Sequence, residues 1–586
     1  MERRNFVKVT GLLTLPALGI LPVSLLATAC KNLDGRDPEK AFFMRLVHYN
    51  DKRIPDLLDN QNMDKGSAFF GAVPDNYLIY HPGGAAFFIY HLLSGYLIRE
   101  SGYYGNAELI GPCIKAAEYL EKVQYEDGTF DLLTTNFNSP PDTAFIMEPV
   151  CVVLSVIRKT QDPQLLVPGL HELGEILKRI TLKAGECLVS GGIHTPNHRW
   201  VVCRALARIH SLYPDDRYIQ RIDQWLAEGI DIDPDGQYTE KSTGIYSIVV
   251  DDSFIAMARL LDRPELYEPV RKNLEMSWFY VHPSGEIVTG ASGRQDRGTR
   301  VNIAAYYFLY RNMAIRDGNP LFGAVATFIE QLNEQRENFI HYRLTSKLLS
   351  FIDEPELRQT LPAPVALPEV YAKKFIHSNV VRYRNGLASA TVFSDNYNVF
   401  SLQKGDAVLD AVRLCASFFG KGQFKSESLE FEGDDVILKS EIKGRYMQPL
   451  PEEEIPGDGD WHKMNGDKRE LTGWKHYSTT VRVTRKDEGF LLKITATGTE
   501  RVPIAIELGF RQGGKLSGLK PVPGIEDAWF LAEGYGEYKM GDQHIRFGPG
   551  QNAHGWTQLR GAQPKLPLQS VYITGYSPFE YTLEIN

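Results

Sequence analysis

The apolar period of this chain changes once, near residue 365, and that change divides what it can fold into. From about 38 to 360, apolar residues recur at three- and four-residue spacing, the signature of helices with one buried face. The spacing predicts helices over 84–100, 107–123, 144–160, 168–180, 197–211, 218–228, 246–261, 264–277, 302–315 and 320–333, joined by short loops. A weak repeat runs through this half. The loop Glu126-Asp127-Gly128-Thr129-Phe130 returns in outline as Lys183-Ala184-Gly185-Glu186-Cys187, as Pro234-Asp235-Gly236-Gln237-Tyr238 and as Pro283-Ser284-Gly285-Glu286-Ile287. Its unit is a helical hairpin of about 50 residues. One hairpin cannot bury its own apolar face, so such units stack. About six of them closed into a ring make an (α/α)6 toroid, with the glycine-rich loops gathered on one face.

Beyond residue 365 the segments are short, β-branched and aromatic: 387–393, 436–442, 478–483, 490–495 and 571–574. Turn residues separate them, as in Glu432-Gly433-Asp434 and Gln512-Gly513-Gly514. That pattern predicts an antiparallel β-sandwich. The junction is proline-rich, Leu361-Pro362-Ala363-Pro364, and the acidic stretch 449–467 reads as an exposed loop. The expected organisation is a signal over 1–29, a linker over 30–38, a toroid over 39–360 and a sandwich over 361–586.

The N-terminus reads as an address. Arg3-Arg4 with Phe6-Val7-Lys8 precedes an apolar run to Leu26, interrupted by Pro16 and Pro22. This resembles a twin-arginine export signal. Ala27-Thr28-Ala29 before Cys30 resembles a lipobox, with Cys30 as the lipidated residue. The implied location is the periplasm or outer membrane of a Gram-negative bacterium, with membrane contact through the lipid alone. The other five cysteines form no C-x-x-C pair and sit in apolar helical contexts, as buried small hydrophobes. A formal net charge of −9 argues against a nucleic-acid partner. No phosphate-binding loop, dinucleotide fingerprint or nucleophile elbow occurs. His194 and His198 are four apart with Pro196 between them, so no metal site is expected.

Four polar clusters fall at equivalent points of successive repeats. The densest is His194-Thr195-Pro196-Asn197-His198-Arg199-Trp200, opening an apolar helix with Asn197 as its expected N-cap. The second spans Asp235 to Tyr246 and holds Tyr238, Glu240 and Tyr246, with Asp251 and Asp252 following. The third, Ser292-Gly293-Arg294-Gln295-Asp296-Arg297-Gly298, offers two arginines able to fork onto a carboxylate. The fourth, Asn138 to Phe145, contains Asp142 as an expected N-cap. Converging in one cleft, these clusters make an active site.

A signal, a helical toroid, an Asn-His pair opening a helix, a Tyr about 50 residues later and a terminal sandwich resemble the heparinase II/III-like and alginate lyase superfamily. The resemblance implies β-elimination on a uronic-acid glycan, with an anionic glycan as partner and no cofactor. It implies that Asn197 neutralises the uronate carboxylate, that Tyr246 is acid or base with Tyr238 in reserve, and that His198 assists. Arg199, Trp200, His194, Arg294, Arg297, Asp142, Glu240 and Asp252 are then expected around the substrate. The family's second His has candidates in His377, His476 and His554. Two other readings fit the same shell. One is a toroid glycoside hydrolase using two carboxylates among Asp142, Glu148, Glu240, Asp251 and Asp252. The other is a non-catalytic glycan-binding lipoprotein.

Overall fold

The computed structural model describes residues 38–335, 342–487 and 489–586. The export signal and Cys30 lie outside the described residues. The chain forms two compact units, one ending at Asn396 and one beginning at Tyr397.

The first unit is an α/α toroid. Its long helices are α1 (Pro38–Asp59), α2 (Pro82–Leu97), α3 (Ile110–Val123), α4 (Pro140–Lys159), α5 (Pro168–Ser190), α6 (Pro196–Leu212), α7 (Asp216–Leu226), α8 (Tyr246–Leu260), α9 (Tyr267–Phe279), α10 (Tyr307–Asp317) and α11 (Pro320–Gln335). Proline stands at or next to the start of several of them, where its fixed φ suits the first turn and no N–H is needed. The even-numbered helices from α2 to α10 form the inner ring and the odd-numbered ones pack outside. The sequence explains the split: α6 is buried along nearly its whole length, whereas α7 buries only Tyr218 and Ile222. The ring closes where Arg45 of α1 pairs with Glu334 of α11 at 2.9 Å, and where Phe42 meets Tyr307 of α10 edge-on.

The repeat has a physical cause. Gly71, Gly128 and Gly236 have φ of +89°, +89° and +94°. A Cβ on them would lie 2.2, 2.1 and 2.5 Å from the carbonyl oxygens of Lys115, Lys183 and Lys272 on α3, α5 and α9. Only glycine lets each loop lie flat on the next outer helix. An amide pins each loop carbonyl: Gln61 on Gly71, Gln124 on Gly128 and Asn273 on Gly236. The expected loop at 183–187 is corrected here, because those residues lie inside α5. Gly185 is there because the Tyr218 hydroxyl of α7 would sit 2.4 Å from its Cβ.

Three antiparallel strands, Val370–Phe375, Val380–Asn385 and Ala388–Phe393, belong to the same unit. Phe375 and Phe393 pack with Met276 and Tyr280. The turn at 376–379 lands on the loop before α8: Ser378 N–H donates to Asp235 at 2.9 Å and its hydroxyl to Asp233 at 3.1 Å.

The second unit is a β-sandwich. One sheet runs in spatial order 515–517, 536–540, 543–548, 579–585, 490–498, 471–485, 435–447 and 428–432. Facing it are the strands 520–521, 528–530, 569–576, 503–510, 407–416 and 400–404. Pairing is antiparallel apart from 528–530 beside 569–576. Burial alternates along 471–485, with Tyr477, Thr479, Val481 and Val483 inward. Between the sheets Phe400 meets Phe490 and Phe510 meets Phe547. The acidic stretch 449–467 is exposed and holds short 3-10 turns. The expected fold class, toroid then sandwich, is the observed one.

Candidate active site

The alternation of outer helix, loop and inner helix puts every second loop at the N-terminus of an inner helix. The four polar clusters therefore stand at the starts of α4, α6, α8 and α10. Those ends carry the positive poles of the helix dipoles and free N–H groups, which suits an anionic ligand.

Asn197 and His198 occupy the first turn of α6, and both are buried. Asn197 does not cap its helix, as the spacing suggests; the cap position is Thr195 and the amide turns elsewhere. Its NH2 donates to Glu240 at 2.8 and 3.0 Å and to Thr195 Oγ1 at 3.2 Å. Its Oδ1 is buried with no hydrogen-bond partner among the described residues. His198 packs against the edge of His194, ring centroids 4.6 Å apart, and against Phe145. Burial, then the neighbouring His194 ring and the Arg294 guanidinium, push its pKa down to about 4 against the opposing pull of Asp142. It is a neutral imidazole at pH 7, and its Nδ1 also has no partner among the described residues.

Tyr246 is the first residue of α8, held there because its N–H donates to Ser242 Oγ. Its hydroxyl accepts from Gln295 Nε2 at 2.6 Å. The Arg294 guanidinium lies over its ring, 5.0 Å from the centroid, and Arg294 Nε is 3.4 Å from Glu240 Oε1. Asp296 fixes the loop that carries Arg294 and Gln295. Its buried carboxylate accepts from Ser242 Oγ at 3.0 Å, Ser292 Oγ at 2.5 Å and Gly244 N–H at 3.1 Å. Asn197, Glu240, Arg294, Tyr246 and Gln295 thus form one connected group, with His198 beside Asn197. Burial raises the Glu240 carboxyl above its ordinary range, against the hydrogen bond from Asn197 and the charge of Arg294.

Other expected site residues have different places. Tyr238 is a core residue at 2% exposure, with its hydroxyl on Asp251 at 2.8 Å; burial pushes both groups up. Arg199 is anchored by Asp231, Glu228 and the Gly229 carbonyl. Trp200 is fully buried and donates to Asp231, so it offers no sugar platform. Asp142 is not the cap of α4 either. Ser139 is, and Asp142 accepts from Ser139 and from Asn136 at 2.8 Å. Arg297 and His194 are exposed at the mouth of the cluster. His377 sits exposed on the turn that lands before α8, while His476 and His554 belong to the sandwich unit.

Deeper in the ring lies a second group. Glu148 of α4 meets Arg208 at 2.7 Å, Arg204 at 3.2 Å and Lys347 at 3.0 Å. Asp252 of α8 pairs with Arg204 and with Lys347, and Asp353 pairs with Arg208 and Arg259. Burial alone would raise the Glu148 carboxyl; Arg204, Arg208 and Lys347 outweigh it and hold it well below its ordinary value. Glu148 and Asp252 are members of a buried ion-pair network. Gln295 and Asp296 were not distinguishable from their loop neighbours by residue type. Their partners Tyr246 and Ser242 lie 49 and 54 positions away, about one repeat. Among the described residues no group of three or more His, Cys, Asp or Glu side chains is placed to hold a metal ion.

No family model and no curated protein matches the sequence. Solved structures do. The chain is similar to a variant of chondroitin AC lyase from Streptomyces coelicolor A3 at 11% identity, over 96% of this chain and 81% of that one, with a TM-score of 0.53. The same enzyme in complex with chondroitin sulphate matches at 12% identity, with equal coverage and a TM-score of 0.53. Xanthan lyase from Paenibacillus matches at 10% identity over 94% of this chain and 57% of that one, with a TM-score of 0.57. At such identities the likeness establishes the fold, the toroid-plus-sandwich fold found in polysaccharide lyases.

Proposed function

We propose that this chain is a polysaccharide lyase that cleaves a uronic-acid-containing glycan by β-elimination. One observation carries the reading. A neutral His198 whose Nδ1 has no partner among the described residues, Asn197, Arg294 and Tyr246 lie together at the N-termini of the inner helices. In the reaction the C5 proton of the uronate leaves, its electron pair becomes the C4=C5 double bond, the C4–O bond breaks and the departing oxygen takes a proton. Negative charge builds on the uronate carboxylate as C5–H breaks. Asn197 and Arg294 meet that charge, a preorganised stabilisation of the kind that usually contributes most to such barriers. Tyr246 is the group that moves protons. A negative charge on its oxygen faces the Gln295 donor, with Arg294 over the ring. His198, neutral at pH 7, accepts a proton beside it. We further propose that the enzyme is exported and lipidated at Cys30, which labelled fatty-acid incorporation, lost in Cys30→Ser, would reveal.

The test follows ultraviolet absorbance of the unsaturated uronate while chondroitin, heparan, alginate and xanthan are offered, with reducing ends counted in parallel. Rising absorbance that Tyr246→Phe abolishes supports elimination. New reducing ends without absorbance would transfer the reaction to a hydrolase whose carboxylates are Asp142 and Glu240, since Glu148 and Asp252 are held in ion pairs.

A further inference from the structure

The two groups assigned above to the substrate carboxylate already share a carboxylate, and it is the chain's own. The short contacts of the Asn197 NH2 to an acid both go to Glu240, at 2.8 and 3.0 Å, and Arg294 approaches the same oxygen pair at 3.4 Å. An amide beside an ionised carboxylate must turn its NH2 toward it, so the Asn197 carbonyl is left without a partner among the described residues. The pairing is an enclosed one. Glu240 is 7% exposed, and its backbone carbonyl accepts from Gly293 N–H at 3.0 Å, which clamps it to the arginine loop. The next residue, Lys241, stands at φ +52° and its N–H donates to the Tyr238 carbonyl at 2.8 Å, so the backbone on that side is fixed as well.

We propose that Glu240 is a resident stand-in for the substrate carboxylate, and that binding of a uronate at Asn197 and Arg294 is coupled to protonation of Glu240. This rests on the reading of the site as a uronate site. Two ionised carboxylates cannot occupy one enclosed pocket, so one of them must gain a proton. The Glu240 backbone is held on both flanks and its side chain is enclosed among Asn197 and Arg294, so its carboxyl lies in the pocket. The charged groups that face it are Arg294, which favours its anion, and Asp231, which opposes it. Burial is the largest influence and already disfavours the anion, so the proton is easily taken up. Once protonated, Glu240 offers an O–H to the ligand and releases the Asn197 NH2.

The experiment is isothermal titration of the full chain with free glucuronate, in buffers of different ionisation enthalpy at matched pH. Wild-type protein is expected to take up as much as one proton per glucuronate, with affinity falling as pH rises, by up to about tenfold per unit. Glu240→Gln keeps an amide for Asn197 to bond and removes the titrating group. It is expected to bind at least about tenfold more tightly at pH 8 with no proton uptake, because the competing anion is gone. Asn197→Ala in the Glu240→Gln background should erase that gain. Wild-type binding without proton uptake overturns the proposal, even where Glu240→Gln does not fold. So does failure of folded Glu240→Gln to bind glucuronate. Proton-coupled binding without cleavage of any glycan would retain the subsite and refute elimination. Cleavage without proton uptake would refute the stand-in alone.

Discussion

Glu148 separates structural from catalytic carboxylates, and its replacement has a calculable effect. Its carboxylate is buried and meets Arg204, Arg208 and Lys347. Glu148→Gln keeps the shape and one acceptor but leaves three cations facing the remaining carboxylates Asp252 and Asp353. Removing one partner of a buried ion pair costs about 3–5 kcal/mol, and the retained acceptor puts this case near about 3. The toroid unit has about 360 residues, so at about 2.1 cal/mol/K per residue its unfolding entropy is about 0.76 kcal/mol/K. The melting temperature should fall by about 4 °C, read by scanning calorimetry. The partner change Lys347→Met should restore part of the loss, so the double variant is more stable than the two single effects summed. Activity measured below the transition should stay within a few-fold of wild type. A shift under about 1 °C, or a hundredfold loss of activity without a shift, would refute the network and return Glu148 to the list of acids that touch substrate.

The other predictions are brief. The His198 imidazole should stay neutral down to about pH 5 and titrate near 4, read by nitrogen shifts of labelled histidine; a midpoint near 6.5 would contradict its burial. Histidine whose folded pKa is depressed, and carboxylates such as Glu148 held below theirs, both stabilise the fold above their unfolded pKa values. Stability should therefore fall as pH drops from 7 through 4, read by urea midpoints, and a flat profile would contradict both shifts. Tyr246→Phe should lower kcat by about 10²–10⁴-fold with an unchanged melting temperature, whereas Tyr238→Phe, in the core, should retain turnover. Asp296→Asn should lower kcat by disordering the Arg294–Gln295 loop, with a smaller change in glycan affinity.

The helices were legible because each outer helix carries an exposed polar face while each inner one is buried along most of its length, and apolar spacing reports both. The repeat was legible through Gly128 and Gly236, which meet one steric demand; Gly71 meets the same demand but lay outside the pattern legible in the sequence. Gly185 met a different demand, a tyrosine ring, and a pattern of glycines cannot tell the two apart. The same limit applies at the start of α6. Asn197, His198, Arg199 and Trp200 are adjacent, but successive residues turn about 100° around the axis. Only the folded ring decides that the first two meet the cluster and the next two meet Asp231. The links Asn197–Glu240 and Gln295–Tyr246 cross 43 and 49 positions, which no local window joins.

Depth along the inner helices separates chemistry from architecture. Asp142, Asn197, His198 and Tyr246 lie in the first turns of α4, α6 and α8. Glu148, Arg204 and Asp252 follow them by six or seven positions, and at 1.5 Å per residue that places them about 9–10 Å further along each axis. The upper level holds an amide, a neutral imidazole, a phenol, an arginine and one carboxyl displaced upward by burial. The lower level holds ion pairs. A hydrolase needs one carboxyl as general acid and a second as base or nucleophile, and the carboxylates richest in charge partners are in the wrong layer for that. An eliminase needs donors for a carboxylate that the substrate itself brings, and a proton acceptor that is neutral when the substrate arrives. The proposed elimination would draw that set from the upper level. The carboxyl that touches the Asn197 amide and Arg294 is Glu240, which is why its protonation is proposed as the step on which substrate entry turns.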